Sequence, residues 1–551
     1  MLFPSYKVLF TAIALLLVTL FIAIKFILET KKDLHPIALA EQANVASTRK
    51  ETETAVYRNF TVPPGFPLTT GMGLSLGYRL RNGNFGDLWS SIMELSGSNY
   101  IELNGSKNSL STLNGEAKHI LKWIQHDAIE TKRIGVCIPP TEHAGFALAI
   151  TGLMGSLQNV VPVFMPSVPR SRQDLHIIAV DSWETLRQMG DSCQWYERVI
   201  VCDTKKAEPT SSKPTNVVSW EQLLDGCFDD GEFKYAPPQD NSDDMKVMAV
   251  NKSSFGSATT FTHMALVSSV AAFIKSFPLH HELSSHDHIS ILLDNRSTAQ
   301  DPIQIFPKLL ATLLHGGSVS IQSLPVSGTL EHCLNRNTTL LQIAEDSALL
   351  DSQLKQRLST LQKIKSAVAS NFLSEGVFTS SALSSVAFKS LRCIFLYSSV
   401  KDGKTAALMA LVAAKPVYDI TKKTRSTNHL NRMRALLGTR VIVELYCPFL
   451  VLGPIAATNF FDYRVLPPQV DNKVTNYGPI CTSLEAKLVE DESNPNLDIS
   501  KRQGLLCIRG FTIGTPMALE LAKKFDGGEG WMPLPGVFCL WGQDGCLYEY
   551  K

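Results

Sequence analysis

The sequence lacks closely spaced cysteines and histidines of the kind that bind zinc. Its 11 cysteines, an odd number, are scattered singly between Cys137 and Cys546 without a CxxC pair. This spacing favours reduced thiols in the cytosol over a disulfide framework or a metal site. The runs His280–His281 and His286–His288 are interpreted as a polar turn, with metal binding as the weaker alternative. The sequence therefore predicts no metal site.

An excess of charge is also missing. The formal net charge is +1, and no stripe of lysine and arginine with interleaved aromatics occurs, so we expect no nucleic-acid partner. The chain has no internal repeat and no low-complexity tract. Its 551 residues, 44% apolar and 19% charged, predict a globular protein of two or more subdomains.

One long hydrophobic run is present at the N-terminus. Residues 8–24 carry no charge, and the run extends to Leu28 if Lys25 snorkels. This length suits a membrane-spanning helix. A signal peptide is the alternative, but its nearest small-residue cleavage site, Ala38–Ala40, lies well beyond the run. We expect a tail over 1–7 and a retained transmembrane anchor over 8–28.

The charges beside this run bear on its orientation. Lys7 flanks one side, whereas Lys25, Lys31 and Lys32 flank the other, which weakly places the body in the cytosol. Glycosylation of the five Asn-x-Ser/Thr sequons would instead indicate the lumen. These sequons are Asn59, Asn104, Asn251, Asn295 and Asn337. We predict a single-pass protein of the endoplasmic reticulum with a cytosolic body.

The rest of the chain reads as one large body after a linker. Residues 29–75 are polar and contain several prolines, so they are interpreted as the linker. Apolar runs then alternate with helical patterns, which predicts an α/β domain with parallel sheets over 76–485. Predicted strands are 133–139, 160–164, 177–180, 198–202, 289–293, 316–321, 392–397 and 441–446; predicted helices are 85–95, 142–157, 265–273 and 305–314, with 340–383 helix-rich. Residues 486–551 read as a β-rich end of the same domain.

A small-residue loop follows the strand-like run Met248–Val250. Its hydroxyls and its one glycine could hold a nucleotide phosphate at the N-terminus of the helix that follows. The candidate residues are Ser253, Ser254, Gly256, Ser257, Thr259 and Thr260. Since phosphate loops use several glycines at positive φ, a purely structural connection is the favoured alternative.

Several segments together resemble the adenylate-forming superfamily, which includes acyl-CoA synthetases, fatty-acyl-AMP ligases and adenylation domains. Thr262–Leu266 is similar to the family's T-H-x-A-L helix, and Leu313–Val319 to its L-x-x-G-A-x-V step. Gly504–Gly510 resembles G-E-L-x-I-R-G, and Leu436–Tyr446 resembles the approach to Y-G-x-T-E. The resemblance implies the family's large N-terminal domain, with Tyr446 at a nucleotide site and ATP and Mg²⁺ as cofactors if the protein is active.

The sequence departs from the family where its chemistry should be. The loop has a single glycine, and Leu450 stands where the family has its Mg²⁺-binding carboxylate. The Thr-Gly-Asp triplet is missing near Gly536, where Asp526 and Asp544 are the nearest carboxylates and are interpreted as turn residues. The chain ends at Lys551, about where the family's lysine-bearing subdomain would begin. We expect a degenerate protein that binds a fatty acid or lipid, a nucleotide or a protein partner; the alternative is an active fatty-acid-activating ligase.

Overall fold

The computed structural model describes residues 6–47, 49–76, 79–125, 131–204, 214–238, 240–252, 258–293, 302–325, 328–355, 358–379, 388–400, 425–491, 494–517 and 529–550. Within these ranges, three large sheets and the helices around them form the body, and a short hairpin pairs Leu74–Leu76 with Arg79–Arg81. The α-helices are Tyr6–Thr30, Pro36–Ala40, Phe85–Glu94, Leu110–Gln125, His143–Gly155, Trp183–Met189, Trp220–Leu223, His263–Lys275, Phe306–Leu314, Leu330–Cys333, Ala348–Leu354, Thr360–Ser374, Thr427–Leu437 and Pro468–Asp471.

The first parallel sheet confirms the strand-helix alternation predicted for the first half of the body. Its strands, in spatial order, are Val217–Ser219, Arg198–Val201, Ile177–Val180, Lys132–Val136, Val160–Phe164, Val247–Lys252, Ala258–Thr262 and Thr515–Pro516. The first six pair in parallel, and the last two are antiparallel. Buried parallel strands need apolar side chains on both faces, which explains runs such as Ile177–Val180.

The second parallel sheet is built from the middle of the chain. In spatial order, its strands are Pro454–Ala457, Arg440–Tyr446, Cys393–Ser399, Leu340–Ala344, His288–Leu293, Ser318–Ser323, Tyr100–Leu103 and Ser106–Ser109. Only the two outermost strands are antiparallel to their neighbours. The region 340–383 was predicted as helix-rich, but its first five residues form a strand. This strand lies between two other strands, and all five of its residues are buried.

Helices between the two parallel sheets share one core with both. The helix His143–Gly155 buries nearly every residue, and its small residues let backbone and ring atoms approach. A Cβ at Gly145 would lie 2.3 Å from the Pro139 carbonyl oxygen, and one at Gly152 would lie 2.5 Å from the Pro162 Cβ. Close packing therefore accounts for the small-residue composition of this helix.

The third sheet is wholly antiparallel, which confirms a β-rich end but corrects its limits. Its strands are Ala43–Val45, Tyr57–Asn59, Leu484–Val489, Gln503–Gly510, Met532–Trp541, Leu547–Tyr550 and Val474–Gly478. The predicted boundary after residue 485 thus falls inside a strand. The linker predicted over 29–75 is also wrong, because two strands from this region join the sheet. Tyr57 stacks on Trp541 with ring centroids 4.0 Å apart, which fixes the region to the body.

The predicted N-terminal helix is present and runs from Tyr6 to Thr30. Its apolar part, Leu9–Thr30, has 22 residues; an 18-residue stretch of it has a mean hydropathy of 2.6, and none of that stretch is buried against the body. At about 1.5 Å per residue it is ~33 Å long, enough to cross a bilayer. It is a candidate membrane span by length and composition.

Candidate nucleotide site

The candidate site lies at the carboxyl ends of two neighbouring strands of the second parallel sheet, Arg440–Tyr446 and Cys393–Ser399. Ligands of open α/β sheets bind at such ends. Tyr446 ends its strand opposite Ser399, and the Val400 amide donates to the Tyr446 carbonyl oxygen at 2.7 Å. The Tyr446 ring lies 6.0 Å from that of Tyr397 at 69°. The side chain is thus packed inside the sheet edge, with 3% of its surface exposed.

Beneath Tyr446 lies a buried ion pair that the sequence did not reveal. Glu444, two residues earlier on the same strand face, accepts from Lys308 Nζ at 2.6 Å, and both side chains are 2% exposed. Lys308 Nζ also lies 4.0 Å from the centre of the Phe395 ring. Burial raises the pKa of Glu444 and lowers that of Lys308, while their mutual attraction opposes both shifts.

This ion pair engages Tyr446 as well. The Tyr446 side chain hydrogen-bonds to Glu444. Burial and the nearby Glu444 charge raise the pKa of the Tyr446 hydroxyl well above its ordinary value. The hydroxyl is therefore directed along its own strand, and the predicted role of Tyr446 toward a nucleotide stays a prediction.

The turn after Tyr446 is apolar and tightly packed, as the sequence indicates. Leu450 is 1% exposed, and its amide donates to the Cys447 carbonyl oxygen at 3.0 Å. Gln304 holds the turn from outside by donating to the carbonyl oxygens of Pro448 and Val451 at 3.1 and 2.7 Å. Leu450 offers no oxygen to a cation, and its surroundings are those of a core residue.

The predicted phosphate loop connects two antiparallel strands. Val247–Lys252 pairs with Ala258–Thr262, and the helix begins only at His263. The prediction that the loop opens directly onto this helix is therefore wrong, because a strand of five residues separates them. The alternation of buried Thr259 and Phe261 with less buried neighbours gives the physical reason. Of the predicted loop residues, Ser253, Ser254, Gly256 and Ser257 lie outside the described residues.

The two predicted threonines belong to this second strand. Thr259 is 4% exposed. Thr260 Oγ1 donates to the Thr515 carbonyl oxygen at 3.1 Å. Each is thus part of the hairpin packing, and binding of a phosphate by either remains a prediction.

A segment that sequence reasoning missed joins the hairpin to the Leu450 turn. The Gly514 amide donates to the Leu450 carbonyl oxygen at 2.8 Å, and Thr515 pairs with Thr260. The Leu452 amide donates to the Thr512 carbonyl oxygen at 2.9 Å. Thr512–Pro516 therefore brings Thr260 and Leu450 to one region, although they are far apart in the chain. Its β-branched and proline residues gave no signal of this role.

His263 opens the helix that follows the hairpin and acts as an internal connector. Its Nδ1 accepts from the Phe85 amide at 3.3 Å, so Nε2 carries the proton and donates to Ser156 Oγ at 2.9 Å. Complete burial lowers the pKa of His263 to about 3; the nearby Asp243 and Lys246 act in opposite directions on it. A neutral His263 thus ties three elements together.

The remaining predicted carboxylate serves a turn, as expected. Asp544 accepts from Arg464 Nη1 at 2.8 Å, from the Tyr548 hydroxyl at 3.0 Å and from the Cys546 amide at 3.1 Å. Gly536 has a φ of +81° within its strand. Asp526 and Lys551 lie outside the described residues. Among the described residues, no group of three or more His, Cys, Asp or Glu side chains is placed to bind a metal.

A cavity of about 480 Å³ lies elsewhere in the fold. Its lining includes Asn99, Ser285 and Gly316, which precede three strands of the second parallel sheet. Since these strands are parallel, this cavity lies at the edge opposite to Tyr446. It is therefore separate from the candidate nucleotide site.

Comparison with known proteins gives one strong sequence match. The uncharacterized protein YHR045W of Saccharomyces cerevisiae is 43% identical over 544 residues, which cover 96% of this chain and 95% of that protein. No protein-family model matches the chain.

Solved structures with the same fold are adenylate-forming enzymes. A long-chain-fatty-acid-CoA ligase from Archaeoglobus fulgidus matches with a TM-score of 0.56 and 12% identity, covering 89% of this chain and 86% of that one. A luciferase-like enzyme from the mealworm Zophobas morio matches with a TM-score of 0.55 and 14% identity, covering 88% and 99%. The N-terminal domain of FACL13 from Mycobacterium tuberculosis matches with a TM-score of 0.52 and 10% identity, covering 85% and 99%. At these identities the likeness shows the fold.

Proposed function

The chain belongs to one family with the yeast protein YHR045W and has the fold of adenylate-forming ligases, and we propose that it is a membrane-anchored, catalytically degenerate form of that fold. In this role it binds a fatty acid or lipid, or holds protein partners, in lipid or acyl metabolism. The observation that carries the proposal is Leu450, a core side chain at the position where the resemblance implies a metal-binding carboxylate.

The nearest carboxylate on the same strand offers no substitute for the metal ligand. Acyl adenylation develops charge on phosphate oxygens, which Mg²⁺ held by protein oxygens neutralises. Glu444 is the partner of the buried Lys308. Moving Glu444 to a metal would leave the Lys308 ammonium buried and unpaired, which costs several kcal/mol.

The N-terminal helix supports a place at a membrane. Leu9–Thr30 exposes its apolar side chains. This exposure is unfavourable in water and favourable in the apolar core of a bilayer. Long apolar acids also partition into bilayers, so an anchored body would meet such ligands at their source. An apolar pocket can bind them without a metal. We place the anchor in the endoplasmic reticulum with the body in the cytosol.

The decisive experiment is ATP–pyrophosphate exchange by the full chain in nanodiscs, with a series of medium- to very-long-chain fatty acids. We expect no acid-dependent exchange above that of a heat-denatured sample. Robust exchange would overturn the proposal and favour the active, Mg²⁺- and ATP-dependent fatty-acid ligase. Leu450→Ala is the comparison variant. If the chain retains exchange activity that depends on the turn at Leu450, this substitution should change the exchange rate.

Thermal stability with added ligands tests the binding role separately. A ligand that binds only the folded chain raises its unfolding temperature. We expect long-chain acids to raise it equally with and without Mg²⁺ and ATP. An increase that requires ATP and Mg²⁺ would indicate a retained nucleotide site and contradict metal-independent binding of the acid.

A further inference from the structure

The helix Thr360–Ser374 carries an apolar stripe that faces away from the body. Leu361, Ile364 and Val368 are 66%, 60% and 46% exposed. Their spacing of three and four residues puts them on one face. On the opposite face, Ala369 and Leu373 are buried in a cluster with Tyr463. The stripe is thus the outer side of a firmly packed amphipathic helix.

The end of this helix contacts the base of the N-terminal apolar helix. Lys25 Nζ lies 2.8 Å from Glu375 Oε1, and the Asp33 amide donates to the Gly376 carbonyl oxygen at 3.1 Å. The hydrogen bond from Lys25 lowers the pKa of Glu375. Asp33 also accepts from the Tyr463 hydroxyl at 2.8 Å. Three contacts therefore join the base of the N-terminal helix to the end of the helix Thr360–Ser374 and to Tyr463, against which that helix packs.

The stripe and this contact share one side of the helix. Glu375 follows Val368, Ile364 and Leu361 by 7, 11 and 14 positions, each close to a whole number of turns of 3.6 residues. Lys25, near the base of the N-terminal helix, therefore contacts the side of this helix on which Leu361, Ile364 and Val368 lie.

Charge around the stripe also suits a bilayer surface. Lys363 and Lys365 are exposed on either side of Ile364, and Lys31 is exposed at the end of the N-terminal helix. Lysines can reach phosphate headgroups while apolar neighbours enter the acyl region. Single exposed apolar residues need no explanation, but a stripe beside a candidate membrane span does.

We propose that Thr360–Ser374 lies on the surface of the same bilayer that the N-terminal helix spans and inserts Leu361, Ile364 and Val368 at the boundary of headgroups and acyl chains. The proposal rests on the membrane anchor of the proposed function. It adds a second contact, which holds the body in one orientation against the lipid.

The test is photo-crosslinking by the full chain in phosphatidylcholine nanodiscs, with a diazirine amino acid replacing Ile364. The matched control carries it at Phe228, which is 75% exposed beside the helix Leu110–Gln125. We expect phospholipid adducts at position 364 in at least tenfold excess over position 228. Equal yields, or adducts at position 364 to a second copy of the chain, would overturn the proposal.

Alkaline extraction of membranes that contain the full chain separates the two claims. Retention of the chain together with a lipid adduct at position 364 supports both the anchor and the surface contact. Retention without the adduct overturns the surface contact alone. Release of the chain would remove the anchor, and the surface contact with it.

Discussion

At the residue scale, the contact of Lys308 with Glu444 dominates the candidate site. Removing one partner of a buried ion pair leaves an uncompensated charge, so we expect Lys308→Met to lower the free energy of unfolding by about 3–5 kcal/mol. The double variant Lys308→Met with Glu444→Gln should recover much of this loss, because no buried charge then remains. Urea unfolding of the three proteins measures the effect.

An exposed ion pair provides the control for this prediction. Lys118 and Asp230 form a contact in which the lysine is 42% exposed, so Lys118→Met should change stability by no more than about 1 kcal/mol. If Lys308→Met were equally mild, the Lys308 charge would not be buried and paired as described. A double variant no more stable than Lys308→Met would contradict the electrostatic explanation.

His263 gives the chain a predictable dependence on pH. Its pKa in the folded chain is about 3, below its ordinary value of 6.5. Between these values the unfolded chain binds a proton that the folded chain excludes, so this contribution to stability is complete above pH 6.5 and is lost as the pH falls toward 3. The slope should approach ~1.4 kcal/mol per pH unit within that window. Urea midpoints between pH 7 and pH 4.5 measure it.

Substitution isolates the share of His263 in this dependence. His263→Gln keeps polar atoms at this buried position but does not titrate. Stability should therefore fall less steeply as the pH is lowered. His286→Gln, in an exposed turn, should leave the slope unchanged. Parallel slopes for the wild type and His263→Gln would show that a different group governs the effect.

At the scale of elements, the sequence pattern predicted several elements whose stabilising contacts are local or repeated. The buried runs Ile177–Val180 and His288–Leu293 and the buried helix Phe306–Leu314 are each recognisable from their own residues. The helix Thr427–Leu437 ends at Gly438, which adopts a φ of +62°. A glycine of this kind commonly ends a helix, although this helix was not predicted from the sequence.

Long-range contacts explain what the sequence did not predict. Ala43–Val45 is three residues long and pairs with another short strand, so no period of apolar residues identified it. Ala258–Thr262 has the alternation of a strand, but its hydroxyl groups also fit a phosphate loop. In the site, the inability of Leu450 to bind a metal follows from its residue type alone. The partner of Lys308 was not, because Glu444 lies 136 positions away.

The strand Ala43–Val45 should be required for full stability of the body. Asn44 Nδ2 donates to the carbonyl oxygens of Phe60 and Val62, both at 2.9 Å. A chain that begins at residue 50 loses these bonds and one strand, so it should unfold at a clearly lower temperature than a chain that begins at residue 32. Differential scanning calorimetry of both chains checks this.

Point variants in the longer chain refine the test of this strand. Asn44→Ala leaves two carbonyl oxygens without this donor and should cost about 1–2 kcal/mol. Val45→Ala changes a side chain that is 49% exposed on the same strand and should be nearly neutral. Equal unfolding temperatures for the two truncated chains would return the region to the role of a linker.

At the scale of the whole molecule, the base of the N-terminal helix is fixed to the body. Asp33 lies between the Tyr463 hydroxyl and the Arg440 guanidinium, at 2.8 and 3.4 Å. Arg440 in turn begins the strand of the second parallel sheet that ends at Tyr446. An anchored chain would therefore hold the body in a defined orientation to the membrane, with Tyr446 at the end of this strand farther from the anchor.

The side of the membrane on which the body lies can be tested through the sequons, which differ in accessibility. Asn104 and Asn337 are exposed, whereas Asn251 is 3% exposed and Asn59 Nδ2 donates to the Ile480 carbonyl oxygen at 2.8 Å. A lumenal body would thus be glycosylated first at Asn104 and Asn337. Because the positive flank of the anchor favours a cytosolic body, we expect endoglycosidase to leave the mobility of the full chain unchanged.

A control chain makes that unchanged mobility informative. An added N-terminal extension with one Asn-x-Thr sequon, placed well before Leu9, should enter the lumen if the body is cytosolic. Its glycan should then give a mobility shift that endoglycosidase removes. The opposite result is an unmodified extension and a shift in the native chain that Asn104→Gln with Asn337→Gln reduces. That result would place the body in the lumen and reverse the topology, since the five sequons would then meet the glycosylation machinery.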